Sequence, residues 1–162
     1  MVKILVTGAK GQLGLEINEV AKSLVDYSFD FVDSKSLNIS LKSDVVNYFK
    51  NNNYDYCINC AAYTAVDKCE DEKEQSELVN YKGVSIIADA CKNFNVVLIH
   101  ISTDFVFDGK KNEAYIEVDK TNPINFYGAS KLKGELAVQD QLQKYFIISY
   151  LFHIYYILFP SY

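Results

Sequence analysis

Arginine and tryptophan are absent from this chain, and its 162 residues include only two prolines, one methionine and two histidines. Without arginine, a phosphate or carboxylate has to be recognised by lysine point charges, backbone amides or hydroxyls, because no guanidinium fork can grip it bidentately. His100 and His153 stand far apart, and the close cysteine pair Cys57 and Cys60 has neither a second pair nor suitably spaced histidines to complete a metal site. No metal is therefore expected. The pair sits in the extended-looking stretch YDYCINCAAY, where positions three apart point to opposite faces, and both thiols are read as buried and inert. Each histidine is read as a core or surface residue.

Positive charge is also in short supply. A net charge of -5 and an isoelectric point near 5.0 give no electrostatic reason to expect nucleic acid or an anionic membrane as partner. A small-molecule or protein partner fits better. The chain opens directly on MVKILVTG, without the charged region, apolar stretch and cleavage site of a secretory signal, so a cytoplasmic location and reduced cysteines are expected.

The chain does have enough apolar material, 49%, to fill a single core. Short apolar runs alternate with stretches of helical spacing: VKILVT, then LGLEINEVAKSLV; FDFVD, then SDVVNYFKNNN; YDYCINC, then QSELVNYKGVSIIADACKN; NVVLIHIS, then a helix over about 127–143 leading into YFIIS. This alternation predicts an α/β fold, a doubly wound Rossmann-type parallel sheet with helices on both faces. The turn-rich segment 107–125 is long for a connection in such a fold, and long connections of this kind are often functional.

Three glycines, Gly8, Gly11 and Gly14, fall directly after the first strand and open the first helix in TGAKGQLG. In that position glycine permits a sharp turn, close approach of backbone to a pyrophosphate and tight helix packing, while the helix start offers N-H groups to phosphate oxygens. Nucleotide binding is the expected use. Asp33 ends the second strand, where a carboxylate can take ribose hydroxyls; the alternative is a solvated strand-end aspartate. Its charge disfavours the extra phosphate of NADP, yet Lys10, Ser34 and Lys35 lie near enough to receive it, so the choice of cofactor stays open.

Tyr127 and Lys131 in NFYGASKLKGE are four residues apart on one helix face. A tyrosine hydroxyl serves as a proton donor to a developing alkoxide only if its pKa of about 10 is brought toward neutrality, and a neighbouring ammonium does that. The glycine turn, the NCAAYTAVDKCE that follows the third strand, the STDFVFDG that follows the fourth and the YGASK helix start occur in this order. Together they resemble the extended short-chain dehydrogenase/reductases, and within them the dTDP-4-dehydrorhamnose reductase family, over residues 1 to about 148.

The resemblance implies NADPH or NADH as cofactor, a dTDP-sugar as substrate and reduction of the 4-keto group of dTDP-4-dehydro-L-rhamnose, with a homodimer left open. It implies that Gly8, Gly11, Gln12, Leu13 and Gly14 surround the pyrophosphate, that Asp33 contacts the adenosine ribose, and that Ala61, Ala62 and Tyr63 line the cofactor cleft. Thr103 matches the hydroxyl on the substrate ketone, Tyr127 the acid and Lys131 its partner, which also holds ribose. Thr64, Val66, Asp67, Asp104 and Phe105 match substrate-facing positions, and Asn80 matches a supporting asparagine. Two alternatives stand beside this reading: a non-catalytic NADP-binding regulator similar to the β subunit of methionine adenosyltransferase, and another nucleotide-sugar reductase or epimerase.

The chain departs from the family pattern in places. Phe105 stands where a tyrosine is common, and Asn38 where an acidic residue is frequent. KYFIIS starts what the pattern makes the sixth strand, after which YLFHIYYILFPSY replaces the family's arginine-containing continuation. We read 1–148 as the dinucleotide-binding domain, 149–162 as an aberrant apolar tail and the substrate domain as missing. Such a tail is short and broken for a membrane span, and aggregation-prone as a natural terminus. A frameshift or truncation is the favoured origin, and it predicts family-like sequence in another frame of the DNA beyond codon 148.

Overall fold

A computed structural model describes residues 1–150; of the expected tail, positions 151–162 lie outside the described residues. The elements run β1 (Val2–Thr7), α1 (Gln12–Ala21), β2 (Tyr27–Val32), α2 (Lys42–Asn51), β3 (Tyr56–Asn59), α3 (Lys73–Glu77), α4 (Val84–Phe94), β4 (Val97–Thr103), α5 (Phe126–Gln141) and β5 (Tyr145–Tyr150). All strand pairs are parallel, in the order β2-β1-β3-β4-β5. This is the expected doubly wound α/β architecture. Tyr145–Tyr150 is the fifth described strand and not the sixth, because α2 carries the chain from β2 straight across β1 to β3 and, among the described residues, one strand lies outboard of β1. Ser149 and Tyr150, the first two residues of the expected tail, belong to β5 and pair with Ser102 and Thr103.

The core forms where the alternating side chains of the strands meet helices. Leu5, Cys57 and Leu98 point from the sheet into a cluster with Val45 and Phe49 of α2, Val84, Ile87, Ala88 and Cys91 of α4, and Val138 of α5. Helices α2, α4 and α5 pack side by side on this face. On the opposite face α1 lies against β2. Alternation and register put Ile58, Ile99, Ile101, Phe146 and Ile148 on that second face. Phe146 is 61% and Ile148 47% exposed. No helix among the described residues is long and apolar enough to cross a membrane.

The helix predicted over 75–93 runs from Lys73 to Phe94, but a π turn at Leu78–Gly83 joins α3 to α4. Wide turns of this kind break the 3.6-residue ladder and often mark functional positions. Asn95 closes α4 in the left-handed conformation, its N-H reaching back to the Cys91 and Lys92 carbonyls.

Candidate active site

The chain leaves β1 toward β2 on one side and later returns to β3 on the other, so the loops at the carboxyl ends of β1 and β3 diverge. Such a switch point opens a crevice in doubly wound sheets. Here it holds a cavity of about 390 Å³, bounded by the glycine turn, the segment after β3, the end of β4 and the start of α5.

The glycine turn is built by close approach. Gly8 has φ +69, and a Cβ there would stand 2.6 Å from the Ala61 amide nitrogen. Gly14 packs under the turn, and a Cβ on it would stand 2.5 Å from the Gly8 carbonyl oxygen. Gly11 N-H donates to the Gly8 carbonyl at 2.9 Å, which folds the turn onto the start of α1. The first N-H groups of α1, at Gln12, Leu13 and Gly14, head a helix whose N-cap is a glycine with no capping side chain. They form a site suited to an anion.

Twelve of the expected site residues line the cavity: Gly11, Gln12, Leu13, Gly14, Ala62, Thr64, Val66, Thr103, Asp104, Phe105, Tyr127 and Lys131. Five do not. Gly8 and Ala61 meet backbone to backbone behind the wall. Tyr63 turns outward, its hydroxyl donating to Glu72, and Asp67 is exposed in a 3-10 turn. Asp33 lies at the end of β2, away from the cavity. Its carboxylate pairs with Lys10 and accepts from the Lys35 and Ser36 amides at 3.0 Å each, and the Lys10 ammonium leads in holding it well below the usual carboxylate range. Asn38 sits in the following turn, where its side chain accepts from Ser40 N-H at 3.0 Å.

The far wall of the cavity carries the hydroxyls and the amine. Thr103 ends β4 and is 6% exposed; its Oγ1 accepts from Phe105 N-H at 3.3 Å and donates to Asp104 at 3.2 Å. Asn125 caps α5 by accepting from Gly128 N-H at 2.8 Å, which sets Tyr127 in the first turn. The Tyr127 ring meets Phe105 edge-on with centroids 5.6 Å apart. Lys131 is 2% exposed, and its Nζ donates to the Ile101 carbonyl oxygen at 2.6 Å. Burial pushes its pKa from 10.5 down to about 8, against the opposing charge of Glu135.

Asn80, buried in the π turn, ties the walls together. It accepts from Tyr63 N-H at 2.8 Å and donates to the Tyr63 carbonyl and to Ser130 of α5, each at 3.0 Å.

Cys60, Ile101 and Ser102 also line the cavity and escaped the sequence reading. Cys57 is buried as expected, but Cys60 is half-buried at the wall; burial raises its thiol to about 11, so it remains a thiol and not a thiolate. His100 proves to be a core residue. Thr7 donates to Asn59 at 2.6 Å, the Asn59 amide nitrogen lies 3.1 Å from His100 Nδ1, and burial keeps the ring neutral with its proton on Nε2.

A model of the RmlD substrate binding domain family matches residues 2–155. The dTDP-4-dehydrorhamnose reductase of Burkholderia thailandensis is 41% identical over 142 residues, 86% of this chain and 46% of that protein. The crystal structure of a dTDP-4-dehydrorhamnose reductase from Clostridium acetobutylicum superposes with a TM-score of 0.89 at 38% identity over 91% of this chain and 52% of its own. The Bacillus anthracis reductase, solved in complex with NADP, gives a TM-score of 0.89 at 37% identity over 92% of this chain and 53% of its own. The chain thus spans about half the length of the curated relatives it matches.

Proposed function

Because the chain belongs to the RmlD substrate binding domain family, we propose that residues 1–150 are the dinucleotide-binding half of a cytoplasmic dTDP-4-dehydrorhamnose reductase. The observation that carries this reading is one cavity with a glycine turn and helix start on one wall and Thr103, Tyr127 and Lys131 on the other. The fit to a nicotinamide dinucleotide rests on the turn itself: any side chain at Gly14 would fill the space against the Gly8 carbonyl that backbone and pyrophosphate need.

When bound, NADPH or NADH supplies the hydride that reduces the C4 ketone of the dTDP-sugar. The residues do the rest. The turn of Gly8, Gly11, Gln12, Leu13 and Gly14 holds the pyrophosphate through backbone N-H groups and the start of α1. Asp33 takes ribose hydroxyls, with Lys10 and Lys35 beside it for a 2′-phosphate. Ala62 lines the cleft, while Ala61 and Tyr63 shape it from behind through Gly8 and Asn80. Thr103 turns its hydroxyl proton from Asp104 to the ketone oxygen, Tyr127 delivers the proton as alkoxide charge develops, and the Lys131 ammonium lowers the cost of the phenolate left behind. Thr64, Val66, Asp104 and Phe105 face the substrate; Asp67, on the exposed turn, contacts it only from the rim.

Titrating the purified chain with NADPH while following cofactor fluorescence is expected to give saturable binding. Adding the dTDP-4-keto sugar is expected to give little turnover, because about half of the relatives' length is outside this chain. Absence of binding would sink the dinucleotide reading, and rapid reduction would sink its restriction to the cofactor half. Lys10→Ala is expected to weaken NADPH about three- to tenfold with little change for NADH, since one exposed ammonium faces a phosphate in the first case alone. Equal losses for both cofactors would argue against a phosphate subsite at Lys10.

A further inference from the structure

Glu135 lies one helical turn beyond Lys131, is 7% exposed, and matches no position in the functional reading. A carboxylate so deep needs partners. Ser102 Oγ donates to its Oε1, and Ser149 Oγ lies 3.5 Å from the same oxygen. Tyr127, Lys131 and Glu135 occupy successive turns of α5, and all three are buried on its inner side.

The titratable and charged groups around Lys131 come from several elements. Cys60 faces it from the end of β3, but burial keeps that thiol protonated. His100 faces it from β4 and is neutral. Asp104, on the cavity wall, accepts from Thr103. Glu70 and Glu77 reach α5 from its exposed side, Glu70 accepting from Phe126 N-H at 2.8 Å and Glu77 pairing with Lys133. Glu135 is the carboxylate whose charge acts on Lys131, and the two oppose the burial cost that each meets.

We propose that Glu135 is a positioning residue for Lys131: the buried counter-charge, held by Ser102, that keeps the amine an ammonium ion aimed at the cavity wall. Its value for cofactor binding rests on the dinucleotide reading, while the coupling between the two groups does not. Burial raises the pKa of Glu135 and lowers that of Lys131 to about 8, and each group's charge opposes the other's shift. Removing the carboxylate lets the amine lose its proton at lower pH.

The test is a pH titration of the Lys131 side-chain amine by NMR on the full chain with isotope-labelled lysine, the signal assigned by its loss in Lys131→Met. In Glu135→Gln the midpoint is expected to fall by about one pH unit or more, about a tenfold weaker hold on the proton. Ser102→Ala, a small change that is easier for the fold to tolerate, is expected to move it the same way by less. An unmoved midpoint in either folded variant overturns the proposal. In parallel, Glu135→Gln is expected to weaken NADPH more at about pH 8.5 than at about pH 6.5, whereas a merely structural defect would weaken it equally at both. If neither chain binds NADPH, the dinucleotide reading fails and the amine midpoint still decides the coupling.

Discussion

Gly14→Ala is expected to abolish most dinucleotide binding, about a hundredfold, while lowering thermal stability by only a few degrees. The added Cβ would stand 2.5 Å from the Gly8 carbonyl oxygen and 2.8 Å from the Ala9 Cα, and both are backbone atoms with no rotamer to change. Relief requires the turn to lift off α1. Overpacking of this kind typically costs about 1–3 kcal/mol of stability. Binding suffers more, because the turn's N-H groups must converge on one anion, and about 2.7 kcal/mol of lost contact is a hundredfold. The check is NADPH affinity measured well below the melting temperature. A variant that binds as tightly as the parent would show that the turn is not the phosphate cradle.

Lys131→Met is expected to move stability and binding in opposite directions. Lowering the lysine pKa from 10.5 to about 8 means that the folded state disfavours the ammonium, by about 3 kcal/mol. This penalty is absent above the unfolded pKa, grows as pH falls from 10.5 toward about 8, and is fully present below. Methionine removes it, although Glu135 then loses its neighbouring cation and takes back part of the gain. A net of about 1–2 kcal/mol raises the melting temperature by about 5 °C for a domain of this size. The advantage over the parent should shrink as pH rises toward about 10. NADPH affinity should fall about tenfold, since the proposed reading has this amine hold the cofactor ribose. If methionine proves less stable near neutral pH, the buried ammonium is not the burden argued here.

The strand and helix alternation was legible because buried parallel strands are continuous apolar runs, and the glycine turn was legible because its position after β1 matters more than its composition. What the sequence withheld lies where periodicity fails. After β3 the backbone is irregular, so nothing in CAAYTAVD distinguishes Ala62 and Thr64, which reach the cavity, from Ala61 and Tyr63, which turn behind it. Cys60 was misjudged as fully buried for the same reason. The π turn leaves no pattern of its own, since its residues suit an ordinary helix. Glu135 drew no reading from the sequence: a glutamate in a helix is solvated far more often than buried, and its partners Ser102 and Ser149 come from strands elsewhere in the chain. The roles of Thr103 and Tyr127 came from family resemblance; spacing alone places two hydroxyl groups and assigns neither a task.

The sheet face carrying Ile99, Ile101, Phe146 and Ile148 bears on how the molecule is made. β3, β4 and β5 lie side by side in the sheet in the order in which they are synthesised. When β5 pairs with β4, that side of the sheet gains two large, exposed apolar side chains, Phe146 and Ile148. Exposed apolar surface of this kind leaves a folding chain open to association with its neighbours. Chaperone capture is therefore expected on the side of the sheet facing away from α5, the side on which α1 also lies.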